Sequence, residues 1–241
     1  MISDSPRTVW ITGASSGIGL ALAENFASYG DIVIASARSR EKLEDLQQRI
    51  RITKGRCEIV ECDVQDSKSV AKAFESIEHT TAAIDILINN AGISSFKDFS
   101  STDIDDFDQV ISTNLRGSFL TTKAVLPGML AHQKGMIINI LSFVTKEVFP
   151  QSAAYTASKA GVEGMMNVLR SEVRRRGINI VNVYPGAVRT PIWHPKVQEK
   201  YQTQMLETHQ VASMIYDISV QPSSLAVEEI VLRPQGGNLQ L

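Results

Sequence analysis

The chain predicts a doubly wound α/β fold, a seven-stranded parallel sheet with helices on both faces, in one domain over residues 1–241. Three observations carry that expectation. Short β-branched runs alternate with longer helical patterns along the chain. The runs are almost continuously apolar, as in strands buried on both faces of a parallel sheet. A glycine-rich turn joins the first run to the first helical pattern.

Residues 9–12 read as the first strand. The helix over 18–29 follows, with Leu22, Phe26 and Tyr29 spaced by four and three. Residues 31–37 form the second strand and 40–52 a charged amphipathic helix. Residues 58–62 are the third strand, and the helix after it takes Asp66 as its N-cap. Residues 84–89 are the fourth strand, followed by helical segments near 103–115 and 116–132. The fifth strand is 136–141, and a long helix runs over about 153–176. Residues 179–184 and 227–232 complete the set of strands. Right-handed crossovers then place helices on both faces. No repeat or linker divides the chain. The least regular stretch, 185–208, holds Pro185, Pro191 and Pro195 and reads as a loop or flap over a site.

Composition narrows the function classes. Hydrophobic residues at 43% and charged residues at 21% are ordinary for a globular protein. A chain this long buries roughly 70–75% of its unfolded surface, enough for a core without disulfide or metal. Twenty-four Lys and Arg against 26 Asp and Glu give a net charge of −2, which offers no support for nucleic-acid or membrane-surface binding. Cys57 and Cys62 are five residues apart, which puts them on opposite faces of a shared strand. No bridge is expected between them, and a reducing cytoplasmic setting fits. No apolar run approaches the ~20 residues of a membrane span. Met1-Ile2-Ser3-Asp4 shows no signal-peptide pattern. His79, His132, His194 and His209 lack metal-site spacing, so no metal is expected.

The turn reads T-G-A-S-S-G-I-G over residues 12–19. Gly13 permits a sharp exit from the strand. Gly17 lets backbone approach a phosphate, and Gly19 lets the helix sit close to the sheet. Ser15, Ser16 and Ile18 complete the turn. A helix N-terminus with free N–H groups suits a pyrophosphate. The spacing is G-x-x-x-G-x-G rather than the common G-x-G-x-x-G, and a tight strand–helix turn with incidental glycines is the plain alternative. At the end of the second strand, where NAD-selective folds place an acid, stands Arg38. A guanidinium can fork onto a 2′-phosphate, so Arg38 favours NADP over NAD. A solvated arginine at a helix start is the alternative.

Tyr155 and Lys159 share one helix face at i,i+4. A free phenol has a pKa of ~10. A nearby ammonium favours the phenolate and is expected to lower that value. The pair suits proton exchange in a carbonyl–alcohol interconversion. An exposed helical pair is the alternative. Ser142 ends the fifth strand thirteen residues before Tyr155, at the sheet edge where open α/β sheets bind ligands. N-N-A-G at 89–92 closes the fourth strand at the same edge, and N-L-R-G at 114–117 follows on the next helix.

In order and spacing these segments, with C-D-V at 62–64, Y-P-G at 184–186 and Thr190, resemble the short-chain dehydrogenase/reductase family over nearly the whole chain. The resemblance implies a Rossmann-type domain, NADP(H) as cofactor, and hydride transfer between it and a ketone or secondary alcohol. It implies that Tyr155 exchanges the proton with the substrate oxygen and that Ser142 orients and polarises the carbonyl. Lys159 would bond the nicotinamide ribose and acidify Tyr155. Asn114 would anchor a water behind Lys159. Asp63 and Val64 would meet the adenine, Asn89 the adenine ribose, and Val188 and Thr190 the carboxamide. Ala91, Gly92, Pro185 and Gly186 complete the implied cofactor set. Two departures stand out: Leu141-Ser142 replaces a common pair of serines, and Phe143-Val144-Thr145 replaces the usual small residues.

Three loops, 94–99, 143–152 and 190–205, should build the substrate wall with Phe96, Phe99, Phe143, Phe149, Trp193 and Met205. Such a lining suits an apolar or mixed small-molecule carbonyl; loop packing is the alternative for each ring. His194 is read as exposed. Arg174-Arg175-Arg176 complements a helix C-terminus. The sharper alternative is docking of an acidic carrier, as in 3-oxoacyl-carrier-protein reductases of the family. The 228–234 tail resembles the hydroxy-acid and general carbonyl-reducing branch instead. The resemblance further implies a homodimer or homotetramer through helices 116–132 and 153–176; Met165, Met166 and Leu169 are then interfacial, and burial within the single chain is the equal alternative for them. An enzyme of this kind is expected; the alternative of another class is a cofactor-bound sensor or scaffold without turnover.

Overall fold

The computed structural model describes residues 6–53, 55–81, 83–222 and 224–239. The stretch Met1–Asp4, read above for a leader, lies outside the described residues. In the first half of the chain the elements are β1 (Thr8–Thr12), α1 (Gly17–Ser28), β2 (Ile32–Ala37), α2 (Arg40–Ile52), β3 (Arg56–Glu61), α3 (Ser67–Thr80) and β4 (Ile86–Asn89). The second half holds α4 (Ile104–Ile111), α5 (Gly117–His132), β5 (Gly135–Ile140), α6 (Ala153–Val173), β6 (Ile178–Pro185), α7 (Pro195–Tyr201), α8 (Thr208–Ser219) and β7 (Glu229–Leu232). The seven strands pair in parallel in the order β3-β2-β1-β4-β5-β6-β7. The direction of winding reverses between β1 and β4, which opens a crevice at the C-terminal strand ends.

The period-two alternation of each strand splits the core in two. Val9, Ile11, Ile86 and Ile88 face one layer with Leu22, Phe26, Leu43, Ile215 and Ile218 of α1, α2 and α8. Trp10, Leu87 and Ile137 face the other with Ile77, Met129, Val162 and Met166 of α3, α5 and α6. Cys57 joins the first layer and Cys62 the second, and both thiols are free. Burial pushes them up to about 12 and about 11 respectively. Met166 is fully buried, so it belongs to the core rather than to a subunit interface.

Two segments differ from the sequence expectation. Residues 185–208 are not irregular throughout: Pro195 opens α7, where its missing N–H costs nothing. Helix α8 was not anticipated. It starts in a capping box between Glu207 and Gln210 and buries Val211, Ala212, Ile215 and Ile218. The break expected near residue 115 is a π-turn over Ser112–Arg116, which joins α4 to α5 with helical backbone on both sides.

Beneath the strand ends runs a buried amide ladder that the sequence reading did not single out. Asn89 donates to Asn139 Oδ1 at 2.9 Å, and Asn139 donates to Asn182 Oδ1 at 3.1 Å. The three asparagines sit in register on β4, β5 and β6. Thr121 and Thr122 of α5 close the Asn89 end at 2.6 and 3.0 Å. Asn167 of α6 accepts from Asn182 at the other end at 3.2 Å. Each buried amide is thus partnered, which fixes strand register directly under the crevice. Among the described residues, no helix is long and apolar enough to cross a membrane.

Candidate active site

The crevice is a cleft of about 1040 Å³ at the C-terminal edge of the sheet. Its floor begins with the glycine turn. Gly13 has φ +66°, and a Cβ there would lie 2.7 Å from Ala91 Cα. Thr12 Oγ1 accepts from the Asn90 and Ala91 N–H groups at 3.1 Å each, and Asn90 Nδ2 donates back to Thr12 O at 2.8 Å. The turn and the end of β4 are therefore stitched together. No side chain caps α1, so its first-turn N–H groups stay open. Gly17 has φ +58°, and a Cβ there would press on Thr190 across the cleft at 3.4 Å. An open helix N-terminus beside a cradle that one methyl would fill fits a pyrophosphate.

Ser15, Ser16, Gly17, Ile18, Arg38, Asp63, Val64, Ala91 and Gly92 line this half of the cleft. Pro185, Gly186, Val188 and Thr190 line its far side. Arg38 is exposed and makes no side-chain hydrogen bond or ion pair among the described residues. Lys42, one turn into α2, also lines the cleft with its amine unpaired among the described residues, and Ser39 lies between them. The sequence reading missed Lys42; its signal was a second cation four residues after Arg38.

Two expected cofactor residues lie elsewhere. Asn89 does not line the cleft: it is the last residue of β4 and its side chain belongs to the amide ladder. Strand alternation turns Asn89 under the sheet edge, and Asn90, just past the strand, takes the place at the cleft. Gly19 packs under the turn against Asn90 and Gly13, which is the close helix–sheet contact expected of it.

The reacting groups meet at the middle of the cleft. Ser142 leaves β5 with extended backbone, and its Oγ accepts from Val144 N–H at 3.3 Å. Tyr155 lies in the first turn of α6 and lines the cleft with Ser142. Lys159 lies one turn on, its Nζ donating to Ile140 O at 2.7 Å and lying 5.7 Å from the Tyr155 ring centre. Asn114 sits behind them in the π-turn. Its Oδ1 accepts from Ile93 N–H, and its Nδ2 donates to Ile93 O and Ser158 Oγ, each at 2.9 Å. Both amide hydrogens are committed, so Asn114 braces α6 beside Lys159. Its own carbonyl already accepts from Ser118 Oγ at 2.7 Å.

The electrostatics differ from the expectation of an acidified phenol. Burial pushes Tyr155 up to about 12, opposed only by the nearby Ser142 side chain. Burial lowers Lys159 to about 8. With the amine turned to a backbone carbonyl, desolvation outweighs its pull on the phenol. The Lys159 shift has a measurable sign. The folded protein releases this proton near 8, the unfolded chain near the ordinary lysine value of ~10.4. Between those values the unfolded state holds more protons, so this group adds stability as pH rises. Urea denaturation of wild type and Lys159→Met at pH 7, 8, 9 and 10 should show wild type gaining on the variant above about pH 8. A constant difference across that range would refute the buried-amine shift.

The wall loops are partly as expected. Phe96, Phe143, Phe149 and Trp193 line the cleft, with Ile192 and Leu239 besides. Phe96 stacks on Trp193 at 5.5 Å and 10°, and its ring centre is 6.2 Å from that of Tyr155. Lys97 N–H donates to Gln151 O at 2.9 Å and so pins the first loop to the second. Phe99 points outward at 85% exposure, and Met205 is buried away from the cleft. His194 is exposed at the rim, where its Nδ1 caps α7 by accepting from Lys196 N–H at 3.3 Å.

The short chain dehydrogenase family model matches residues 7–201. This chain belongs to the short-chain dehydrogenase family. It is 33% identical to a sepiapterin reductase of Chlorobaculum tepidum over 237 residues, which cover 95% of this chain and 97% of that relative. Among solved short-chain dehydrogenases, it resembles a metagenomic short-chain oxidoreductase in complex with NADP, with TM-score 0.84 and 30% identity over 95% of this chain and 97% of the other. An actinorhodin polyketide ketoreductase variant with NADPH superposes with TM-score 0.89 at 28% identity, covering 99% of this chain and 100% of the other. As a short-chain dehydrogenase the chain is an oxidoreductase.

Proposed function

We propose that this oxidoreductase uses NADP(H) to interconvert an uncharged ketone and its secondary alcohol. The carrying observation is that Ser142, Tyr155 and Lys159 line one cleft with the open N-terminus of α1. NADP(H) bound along the glycine turn supplies the hydride. Ser142 Oγ and the Tyr155 hydroxyl converge on the carbonyl oxygen and stabilise the charge that develops there. A phenol held near 12 is protonated at neutral pH, so the site rests ready to donate, which is the state reduction needs. Lys159 lies close enough to offset negative charge on the phenol as the proton leaves. The aromatic wall excludes water from that step. The unpaired Arg38 and Lys42 favour a 2′-phosphate, and relatives solved with NADP and NADPH support the same choice.

The substrate end shapes the rest of the reading. Phe96, Phe143, Phe149, Ile192, Trp193 and Leu239 make this end largely apolar, with His194 at its rim. That favours neutral ketones over the oxo acids of the hydroxy-acid branch. The Phe96–Trp193 stack favours a planar aromatic substituent, and the named relative makes sepiapterin a compound to test. The basic run Arg174–Arg176 lies about 28 Å along α6 from Tyr155, at 1.5 Å per residue. It therefore does not flank the cleft, and Arg174 pairs with Glu228. Carrier docking at that run is the weaker alternative. The reading includes a reducing cytoplasmic setting, supported by two buried free thiols. It also includes a homodimer or homotetramer, supported by the exposed Phe119 of α5 and Val168 of α6.

A panel assay tests this. NADPH oxidation is followed with neutral aryl methyl ketones, sepiapterin, a 2-oxo acid and a 3-oxoacyl thioester. Turnover is expected with the neutral aromatic carbonyls and little or none with the oxo acid. No turnover with any compound removes the catalytic reading and leaves the scaffold alternative.

A further inference from the structure

After β7 the chain does not leave the molecule but folds back over the cleft. Arg233 lies over the Phe143 ring at 4.1 Å and donates from its guanidinium to Asn238 Oδ1 at 3.0 Å. Asn238 Nδ2 donates in turn to Glu147 Oε2 at 2.7 Å, and the same carboxylate lies 4.0 Å from the Arg233 guanidinium. Between these residues the backbone reverses, with Gly237 N–H donating to Pro234 O at 2.9 Å. Gly237 takes φ +86°, which a glycine adopts without strain. Upstream, Gly186 N–H donates to Leu232 O at 2.7 Å, which ties the start of this segment to the cleft wall. Asn238 and Leu239 then line the cleft beside Phe143 and Val144.

Two features make this more than a packed terminus. The loop it grips begins at Phe143, the residue after Ser142, so the clamp bears on the wall next to the reacting oxygen. The grip is also specific: a cation on a ring face and a closed set of polar contacts among Arg233, Asn238 and Glu147. Leu239 is the apolar side chain that this clamp delivers to the cleft.

We propose that residues 233–239 form the size-setting wall of the substrate end, with Leu239 and Asn238 as specificity-determining residues held in place by Arg233 and Glu147. The proposal rests on the ketone reading above and adds which residues limit the substituent. A wall of this kind acts on the ratio between large and small substrates rather than on cofactor binding. One methylene of fit in an apolar pocket is worth about 10-fold or more in discrimination.

The test compares acetophenone with benzophenone in wild type, in Leu239→Trp, in Glu147→Ala and in a variant ending at Arg233. NADPH dissociation constants are measured alongside. Removing the segment is expected to raise the benzophenone-to-acetophenone ratio of kcat/KM by about 10-fold, and Leu239→Trp to lower it by a similar factor. Glu147→Ala should shift the ratio in the same direction as the truncation, because Asn238 loses its anchor. NADPH affinity should stay unchanged throughout. Ratios unchanged in active variants overturn the wall while leaving the ketone reading intact. If wild type turns over neither ketone, the ketone reading fails for these compounds. The same ratio is then read from ketone binding to the NADPH complex, by quenching of Trp193, which lines the cleft while Trp10 is buried. Unchanged binding ratios, or no binding of either ketone, overturn the wall as well.

Discussion

Tyr155→Phe is expected to abolish ketone reduction while NADPH binds as before. The substitution removes one oxygen and keeps the ring, which is buried and packed near Phe96. The fold should therefore hold, and the glycine turn, Arg38 and Lys42 are untouched. What is lost is the cleft-lining phenol hydroxyl, which holds a proton to give at neutral pH. General acid catalysis of this kind contributes about 100- to 10,000-fold. Loss of the polarising hydrogen bond adds to that, because the substrate oxygen keeps Ser142 Oγ but loses the phenol. The check is kcat/KM with the best ketone of the panel, beside an NADPH dissociation constant from cofactor fluorescence. A variant that keeps a tenth of wild-type activity would show that another group delivers the proton. A variant that loses activity and cofactor together would show a collapsed cleft instead. Clean loss of turnover with intact binding also separates an enzyme from a cofactor-bound scaffold.

The sheet was legible because its strands carry their own signal. Val9-Trp10-Ile11 alternates between two cores, and a run apolar at every position has no solvent face to occupy. The clustering of Ser142, Tyr155 and Lys159 in one cleft was legible for a different reason. Tyr155 and Lys159 are fixed by helix geometry, and Ser142 by the end of a strand, so spacing in the chain nearly determines spacing in the fold. What was hidden depended on direction rather than position. Asn89 and Asn90 are adjacent, and only the strand's last residue decides which of them turns into the amide ladder. Phe99 and Phe96 look equivalent in the loop, yet one points to solvent and the other to Trp193. The acidified phenol failed as an expectation because burial, which no motif records, shifts both Tyr155 and Lys159 against their charged forms. Helix α8 did have a signal, the Glu207–Gln210 box ahead of Val211 and Ile215. The three prolines upstream drew the reading toward a loop.

Arg38→Asp should convert the cofactor preference. In wild type the guanidinium stands at the mouth of the cleft, and among the described residues neither it nor Lys42 on the same rim pairs with a carboxylate. A 2′-phosphate placed there gains a charge-assisted hydrogen bond worth about 1.5–3 kcal/mol. Losing it weakens NADPH binding by roughly 10- to 150-fold, and the new carboxylate adds repulsion. NADH has no phosphate to lose and can give its ribose hydroxyl to the carboxylate, so its affinity should hold or improve. Lys42 keeps part of the attraction in the single variant, so Arg38→Asp with Lys42→Ala should lose more NADPH affinity than Arg38→Asp alone. Dissociation constants for both cofactors, measured at low and high salt, decide the matter. Both cations are exposed, so the wild-type preference for NADPH should shrink as salt screens them, and the double variant should show almost no salt dependence. Equal losses for NADPH and NADH would mean that the arginine supports the start of α2 rather than reading the phosphate.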